Sequence, residues 1–360
     1  MENIYNYCFS QNKCKYAELL DKNVLTKSEV IMSQAIWLQA LRTVPKIDKT
    51  CWDTLNIVTK WLVAARFSVT IMTFTSAIIG ILLALSTGTV DVGLSILCVI
   101  GLILAHATNN LLNDYTDSVR GVDKGNYFRN QYGTHVLEAG LLTKKALMTY
   151  IIITGLLAIA CGVIIIYLRG IEVLWLMLAG AFFVLFYTWP LKKLALGELS
   201  VLLVWGPLMV GGAYYVSSGH WSFAAMLIGT LYALAPTAVI FGKHIDKIEM
   251  DRSKGIYSLP VLLGVAHARK TVQFMMLSQY FLAAYIYLNG YIGLSIFVLL
   301  FTVPTLITTL KTFNHDRPES MPEGFRKEVW PLWFAPHAFQ YTRRFSLFFL
   351  LMLVIENIIV

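Results

Sequence analysis

Charge is what this sequence has least of: only 14% of its 360 residues are Asp, Glu, Lys or Arg, where soluble domains carry about 25%. So little charge cannot cover a water-facing surface, which excludes an ordinary soluble globule. The five cysteines, Cys8, Cys14, Cys51, Cys98 and Cys161, show no CxxC spacing and no clustering with histidine. That leaves no zinc site or disulfide framework to build on. Cys98 and Cys161 sit in apolar runs and read as packing groups. The alternation of a transmembrane β-barrel is missing. Also missing is the basic, apolar and small-residue succession of a cleaved signal peptide, so the N-terminus is expected to stay in place. The excess of 29 Lys and Arg over 21 Asp and Glu bears on orientation and anionic headgroups, and no nucleic-acid partner is needed to explain it.

What the chain does have is apolar residues, 57% of the total, and a mean hydropathy of +0.64. Runs of about 20 such residues can each cross a bilayer as a helix. They fall near Phe67 to Leu85, Val92 to Thr108, Ala146 to Leu168, Val173 to Trp189, Leu199 to Val216, Phe223 to Phe241, Val272 to Leu288, Ile292 to Leu310 and Phe345 to Ile359. The fold class predicted is therefore all-α, a polytopic membrane bundle of about nine transmembrane helices. Connections after the odd-numbered spans contain a single basic residue, Arg169, through the seventh span. The other connections hold Arg120, Lys124, Arg129, Lys144, Lys145, Lys192, Lys193, Lys247, Arg252, Lys254, Arg269 and Lys270. Positive residues are retained on the cytoplasmic side. An integral membrane protein is expected, with its N-terminus and basic loops cytoplasmic and its C-terminus opposite.

One further segment precedes the spans and another lies between the eighth and the ninth. Residues 1–60 form a separate cytoplasmic or interfacial extension, leaving 61–360 as the membrane domain. In the extension, Thr26 and Glu29 have capping-box spacing ahead of an apolar stripe through Ile31, Ala35, Leu38 and Leu41, which predicts a helix on the membrane or on the bundle. Trp330, Trp333, Phe334, Phe339, Tyr341, Arg343 and Arg344 read as an interfacial anchor.

The carboxylates are concentrated. At the cytoplasmic end of the second span stand Asn109, Asn110, Asn113, Asp114 and Asp117, followed by Arg120, Asp123 and Lys124. Asn113 and Asp117 share a helical face, as do Asn110, Asp114 and Asp117. An amide and carboxylates brought together suit Mg²⁺, which keeps one or two carboxylates and completes its octahedron with phosphate oxygens and water. The end of the sixth span repeats the theme. There, Lys243, His244, Asp246, Lys247, Glu249, Asp251, Arg252 and Lys254 supply three acids and four basic residues. Both segments fall on one side of the bundle, so two half-sites could clamp a diphosphate between two metals. Solvated loop acids are the bland alternative, but ionisable groups at span ends facing a bundle interior are usually functional. Tyr187, Thr188, Trp189, Pro190 and Lys192 close the fourth span on the same side, where Pro190 ends a helix and Tyr187 and Lys192 could also reach a diphosphate. His106 and His244 each read either as a pocket base or as a hydrogen-bonded core group.

These three segments, in this order, resemble the UbiA superfamily of intramembrane prenyltransferases, over roughly Ala65 to the C-terminus. Asn113 through Asp117 and Asp123 looks like the family's first Asp-rich motif, in the longer form of the 1,4-dihydroxy-2-naphthoate polyprenyltransferase-like branch. Tyr187 to Glu198 is similar to its Tyr-Thr-x-x-Pro segment. Asp251, Lys254, Gly255, Leu259 and Gly264 resemble the second Asp-rich motif.

The resemblance implies a central cavity in which two Mg²⁺ hold a prenyl diphosphate that ionises to an allylic carbocation. Transfer to an aromatic or quinone-precursor acceptor follows; a terpene cyclase, with no acceptor, is the alternative within the fold. The metal ligands expected are Asn113, Asp117, Asp123, Asp246, Glu249 and Asp251, with Asp114, Asp117, Asp246 and Asp251 as the catalytic set. Asn110, Arg120, Lys124, Tyr187, Lys192, Lys247, Arg252 and Lys254 would contact the diphosphate. One departure stands out: where the family commonly has an Asp four residues before the position of Asp251, this sequence has Lys247, with Asp246 beside it. From another class, an ion-coupled transporter would place its acids near the bilayer midplane on broken helices, whereas these lie at one face.

Overall fold

The computed structural model describes residues 35–88, 90–125, 133–327 and 329–359. Among them every regular element is helical. Helix α1 is Lys49–Thr54, α2 Ile57–Ala64, α3 Ile71–Leu85, α4 Val92–Val119, α5 Lys144–Arg169, α6 Glu172–Phe186, α7 Gly197–Leu203 and α8 Met209–Ser218. The series continues with α9 Phe223–Asp246, α10 Ile248–Ser253, α11 Leu259–Leu288, α12 Val303–Asn314 and α13 Phe334–Ile359. In hydrocarbon each backbone N–H and C=O must be satisfied within the protein, which the helix does by itself. The long helices start where the sequence offers a cap. Asp91, Thr143 and Ser222 accept from the N–H groups of Leu94, Ala146 and Ala225 at the heads of α4, α5 and α9.

Seven of the described helical stretches are long and apolar enough to cross a membrane: Phe67–Leu85, Val92–Val119, Lys144–Arg169, Glu172–Leu191, Gly197–Ser218, Phe223–Asp246 and Leu294–Asn314. The sequence predicted about nine. The remaining two, α11 and α13, are present and long, but α11 is interrupted at Gly264 (φ 76°) and α13 carries Arg343, Arg344 and Glu356. Other bounds also differ from expectation. Helix α4 runs to Val119, about 16 Å past the apolar run that ends near Thr108, so Asn109 through Asp117 are helical while Asp123 and Lys124 follow the helix end. The fifth span is two helices, α7 and α8, joined by a wide turn at Val204–Leu208 containing Gly206 and Pro207.

Close approaches fix the bundle. A Cβ on Gly80 of α3 would lie 2.4 Å from the Val210 carbonyl oxygen of α8, so those backbones touch as small residues permit in membranes. A Cβ on Gly242 of α9 would lie 2.9 Å from Phe334 and Ala335 at the head of α13. Ala40, Trp52, Leu55 and Val63 pack into one apolar core with Leu111 of α4 and Leu147 of α5. The described residues before the first span, from Ala40 on, thus rest on the bundle. Thr26, Glu29 and Ile31 of the expected extension helix, with Cys8, Cys14 and Arg129, lie outside the described residues. Residues 35–42 are helical. The aromatic and basic stretch predicted to anchor at the interface is divided: Phe339, Arg343 and Arg344 are exposed and Trp330 and Trp333 half-buried, while two aromatics turn inward. Phe334 and Tyr341 are buried, the Tyr341 hydroxyl donates to Gln279 at 2.7 Å, and Arg344 donates to Thr305 at 2.9 Å.

Arg169, the one basic residue of the opposite connections, donates to the carbonyls of Val216 and Ser217 at 2.8 and 3.2 Å. It ties two turns together at the end of the bundle away from the acids.

Candidate active site

The C-terminal ends of α4 and α9 and the turn after α6 meet at one end of the bundle. Helix α4 carries Asn110, Asn113, Asp114 and Asp117 there, and its asparagines fasten it to both neighbours. The Asn110 amide donates to the Ala65 carbonyl at 2.9 Å, and that of Asn113 donates to the Thr188 hydroxyl at 3.0 Å. After α6 the chain makes a wide turn at Tyr187–Leu191 in which Trp189 leaves helical geometry (φ −148°, ψ 123°). Irregular backbone at membrane depth is tolerated where it lines a cavity. This turn aims Lys192 at α4, and the ammonium lies 2.9 Å from the Asp117 carboxylate.

Arg66 completes the first half. It follows α2 in the left-handed region (φ 51°, ψ 52°), which costs a residue with a Cβ about 1–2 kcal/mol. That conformation turns the guanidinium into the site, where it lies 3.2 Å from Asp114 and donates to the Asn110 carbonyl at 3.1 Å. Sequence reading passed over Arg66, since a single basic residue before a first span is explained by orientation alone.

The second half is built differently from expectation. Asp246 is spent on structure. Its Oδ1 accepts the N–H groups of Trp333 and Phe334 at 3.0 and 2.9 Å, and its Oδ2 accepts that of Ala335 at 2.9 Å. It caps α13, and Gly242 one turn earlier allows the approach. Glu249 does not face the site either: it pairs at 3.4 Å with Arg252, with side chains 80% and 53% exposed, an ion pair worth about 0–1 kcal/mol. Expected as a metal ligand and a diphosphate contact, these two form a solvated rim. Lys247 and Asp251 remain inside, both buried, with Nζ to Oδ1 at 2.7 Å. The Asp251 Oδ2 is buried and has no hydrogen-bond partner among the described residues.

Other expected contacts hold the frame. Lys254 donates to the carbonyls of Gly121 and Lys124 at 3.3 and 2.7 Å, bridging the two acidic segments through backbone. Arg120 stacks on Trp189 at 3.7 Å, with Lys193 on the same ring at 4.5 Å. Asp123 is buried against His135 at 2.9 Å. His244 pairs with Glu198 at 2.5 Å, and the same carboxylate accepts from the Leu259 N–H at 3.4 Å, joining α7, α9 and α11. His106 meets the Thr73 hydroxyl at 2.7 Å.

Three buried or half-buried cations therefore face three buried carboxylates: Arg66 with Asp114, Lys192 with Asp117, and Lys247 with Asp251. Burial disfavours the Lys192 ammonium, but Asp117 and Asp251 on either side hold its proton more firmly than usual. Burial likewise works against the Asp251 carboxylate, but Lys247, His244 and Lys192 keep its carboxyl below the ordinary aspartate range.

Beside this network lies a cavity of about 3500 Å³. Arg66, Asn110, Asn113, Tyr187 and Lys192 form its polar wall, and Gly101, Ala105, Gly155, Gly162, Gly180 and Trp205 line its apolar limb. An anion placed at the polar wall meets fixed positive charge, with an apolar channel behind it. An amphiphile with an anionic head and a long hydrocarbon tail fits that pairing.

This architecture is that of a membrane-embedded helical bundle with a charged site beside a large cavity. The model of the UbiA prenyltransferase family matches residues 73–327, and the chain belongs to that family; it is a prenyltransferase. It is 24% identical over 244 residues to UbiA prenyltransferase domain-containing protein 1 of Xenopus tropicalis, covering 67% of this chain and 70% of that one. It is 29% identical over 224 residues to 1,4-dihydroxy-2-naphthoate octaprenyltransferase of Escherichia coli, covering 58% and 70%. Among solved structures, an apo UbiA homologue from Aeropyrum pernix superposes with a TM-score of 0.59 at 17% identity, covering 79% of this chain and 97% of that one. A UbiA homologue from Archaeoglobus fulgidus bound to GPP and Mg²⁺ superposes with a TM-score of 0.53 at 16% identity, covering 81% and 99%.

The donor set fits a divalent cation unevenly. Asn113, which lines the cavity, and Asp117, one helical turn on and paired with the cavity-lining Lys192, offer the oxygen pair that Mg²⁺ takes beside phosphate. The second segment, with Asp246 capping and Glu249 exposed, offers Asp251 alone.

Proposed function

We propose that the protein transfers an isoprenyl group from a prenyl diphosphate to an aromatic or quinone-precursor acceptor within the bilayer. The observation that carries this reading is the convergence of Arg66, Lys192 and Lys247 with Asp114, Asp117 and Asp251 at one end of the bundle, where Arg66 and Lys192 line the cavity. The diphosphate sits against Arg66 and Lys192, its tail in the apolar limb. Asn113, Asp117 and Asp251 are the candidates to hold Mg²⁺, which when bound supplies positive charge to the departing diphosphate. Cleavage of the allylic C–O bond releases diphosphate and leaves a carbocation, which the acceptor captures with loss of one proton to solvent. Fixed cations already in place stabilise the charge that develops on the leaving group without reorganisation. Asp114 orients Arg66, and Tyr187 and Asn110 complete the wall.

The Archaeoglobus homologue, solved with GPP and Mg²⁺, supports the donor class, and the naphthoate substrate in the name of the Escherichia coli relative supports the acceptor class. The skew of Lys and Arg toward the connections at the acidic end supports an active site and an N-terminus on the cytoplasmic side. The lengths of α11 and α13, beside the seven apolar stretches, support a reading of about nine spans, with residues 1–60 read as an extension before them.

Product analysis tests the reading. Purified protein given Mg²⁺ and prenyl diphosphates of increasing length should form a prenylated product only when a naphthoate or benzoate acceptor is added. A hydrocarbon formed without any acceptor would instead establish a cyclase.

A further inference from the structure

The second acidic segment lacks the carboxylates that a metal of its own would need. Asp246 has both oxygens committed to the three N–H groups that open α13. Glu249 points to solvent. That leaves Asp251, whose Oδ1 carries the Lys247 ammonium at 2.7 Å. Lys247 is buried, so its charge is not dispersed by water, and it stands one helical turn before Asp251. A dication here would have to share one carboxylate with an ammonium already bound to it, and among the described residues of this segment no other carboxylate faces inward to offset the repulsion. Mg²⁺ bound by proteins keeps one or two carboxylates and relies on phosphate for the rest. Asp251 has a single buried oxygen left, the Oδ2, enough to reach an ion held chiefly by the first segment but not to found a second centre.

We infer that Lys247 is a built-in cation that replaces a second metal ion, so that the diphosphate is held by about one Mg²⁺ together with the Lys247 ammonium. On substrate binding, the ammonium exchanges part of its interaction with Asp251 for a diphosphate oxygen, a charge-assisted bond of the kind lysine makes as a point charge. No proton moves and no bond is made or broken in the exchange. The consequence is a site with a lower metal demand than one flanked by two complete carboxylate pairs. This rests on the diphosphate reading above.

The test is a count of metal ions. Full-length protein in detergent is saturated with an unreactive prenyl thiolodiphosphate and titrated with Mn²⁺, with free ion followed by electron paramagnetic resonance. Wild type should bind about one Mn²⁺ per chain. Lys247→Asp, checked for folding by its melting curve, should bind about two, because a second carboxylate then stands one turn from Asp251. Lys247→Met should keep the single ion and hold the analogue about tenfold or more weakly, as expected for loss of one charge-assisted contact. Two ions in wild type would overturn the inference. So would a folded, analogue-binding Lys247→Asp that gains none, or unchanged analogue affinity in Lys247→Met. Failure of wild type to bind any prenyl thiolodiphosphate would be a different result, and would remove the diphosphate reading itself.

Discussion

Arg66 shows how one residue can be costly to place and still be retained. Its left-handed backbone is unfavourable, and what it gains is a guanidinium fixed between Asn110 and Asp114. Arg66→Gln, which keeps length and hydrogen bonding but removes the charge, should lower diphosphate release by about 10²-fold, measured in steady state beside a melting curve. Asp246 behaves oppositely. Asp246→Ala strips the cap from α13 and leaves up to three N–H groups without their acceptor, a loss of about 2–4 kcal/mol. It should lower the melting temperature while the folded fraction keeps turnover within a few fold, and complete loss of turnover in a well-folded variant would return Asp246 to the reacting centre. Composition and spacing made Asp117 and Asp251 legible as inward-facing acids. They could not separate Asp246 from Lys247, because adjacent residues on a helix point in directions about 100° apart. Which of the two faces the site is settled by where α13 docks, roughly ninety residues later in the chain.

At the scale of elements, the wide turns decide the site's shape. Runs of apolar residues located the helices, but the unwinding at Tyr187–Leu191 and Val204–Leu208 was visible only as prolines, which sequence reading takes as helix ends. The first of these turns delivers Lys192 to Asp117. The meeting of α9 and α13 depends on Gly242, where an added Cβ would lie 2.9 Å from the backbone of Phe334 and Ala335. Gly242→Ala should therefore destabilise by about 1–3 kcal/mol and should weaken diphosphate binding with it, since Lys247 and Asp251 follow the displaced end of α9. A melting curve and a binding titration on the same preparation check both. If stability fell while binding stayed at wild-type strength, the second half-site would be independent of the α9–α13 contact.

Across the whole molecule, charge is sorted by end. The cations and acids of the site gather at the ends of α4 and α9, and Arg169 ties the turns at the other end. This sorting was readable from loop composition because insertion itself discriminates on Lys and Arg. The cavity was not, since its lining comes from small residues on several helices whose rotations depend on packing. In the reaction proposed, the allylic C–O bond ionises beside Arg66, Lys192 and the acids they hold. The most direct measurement is Mg²⁺-dependent release of inorganic diphosphate from a prenyl diphosphate in the presence of an aromatic acceptor, comparing wild type with Asp117→Asn and Lys192→Met. Release by wild type that stops on chelation and falls by about 10²-fold or more in each folded variant is the result predicted. Release that is absent from wild type at every prenyl length tried, or that persists undiminished in both variants, would contradict it.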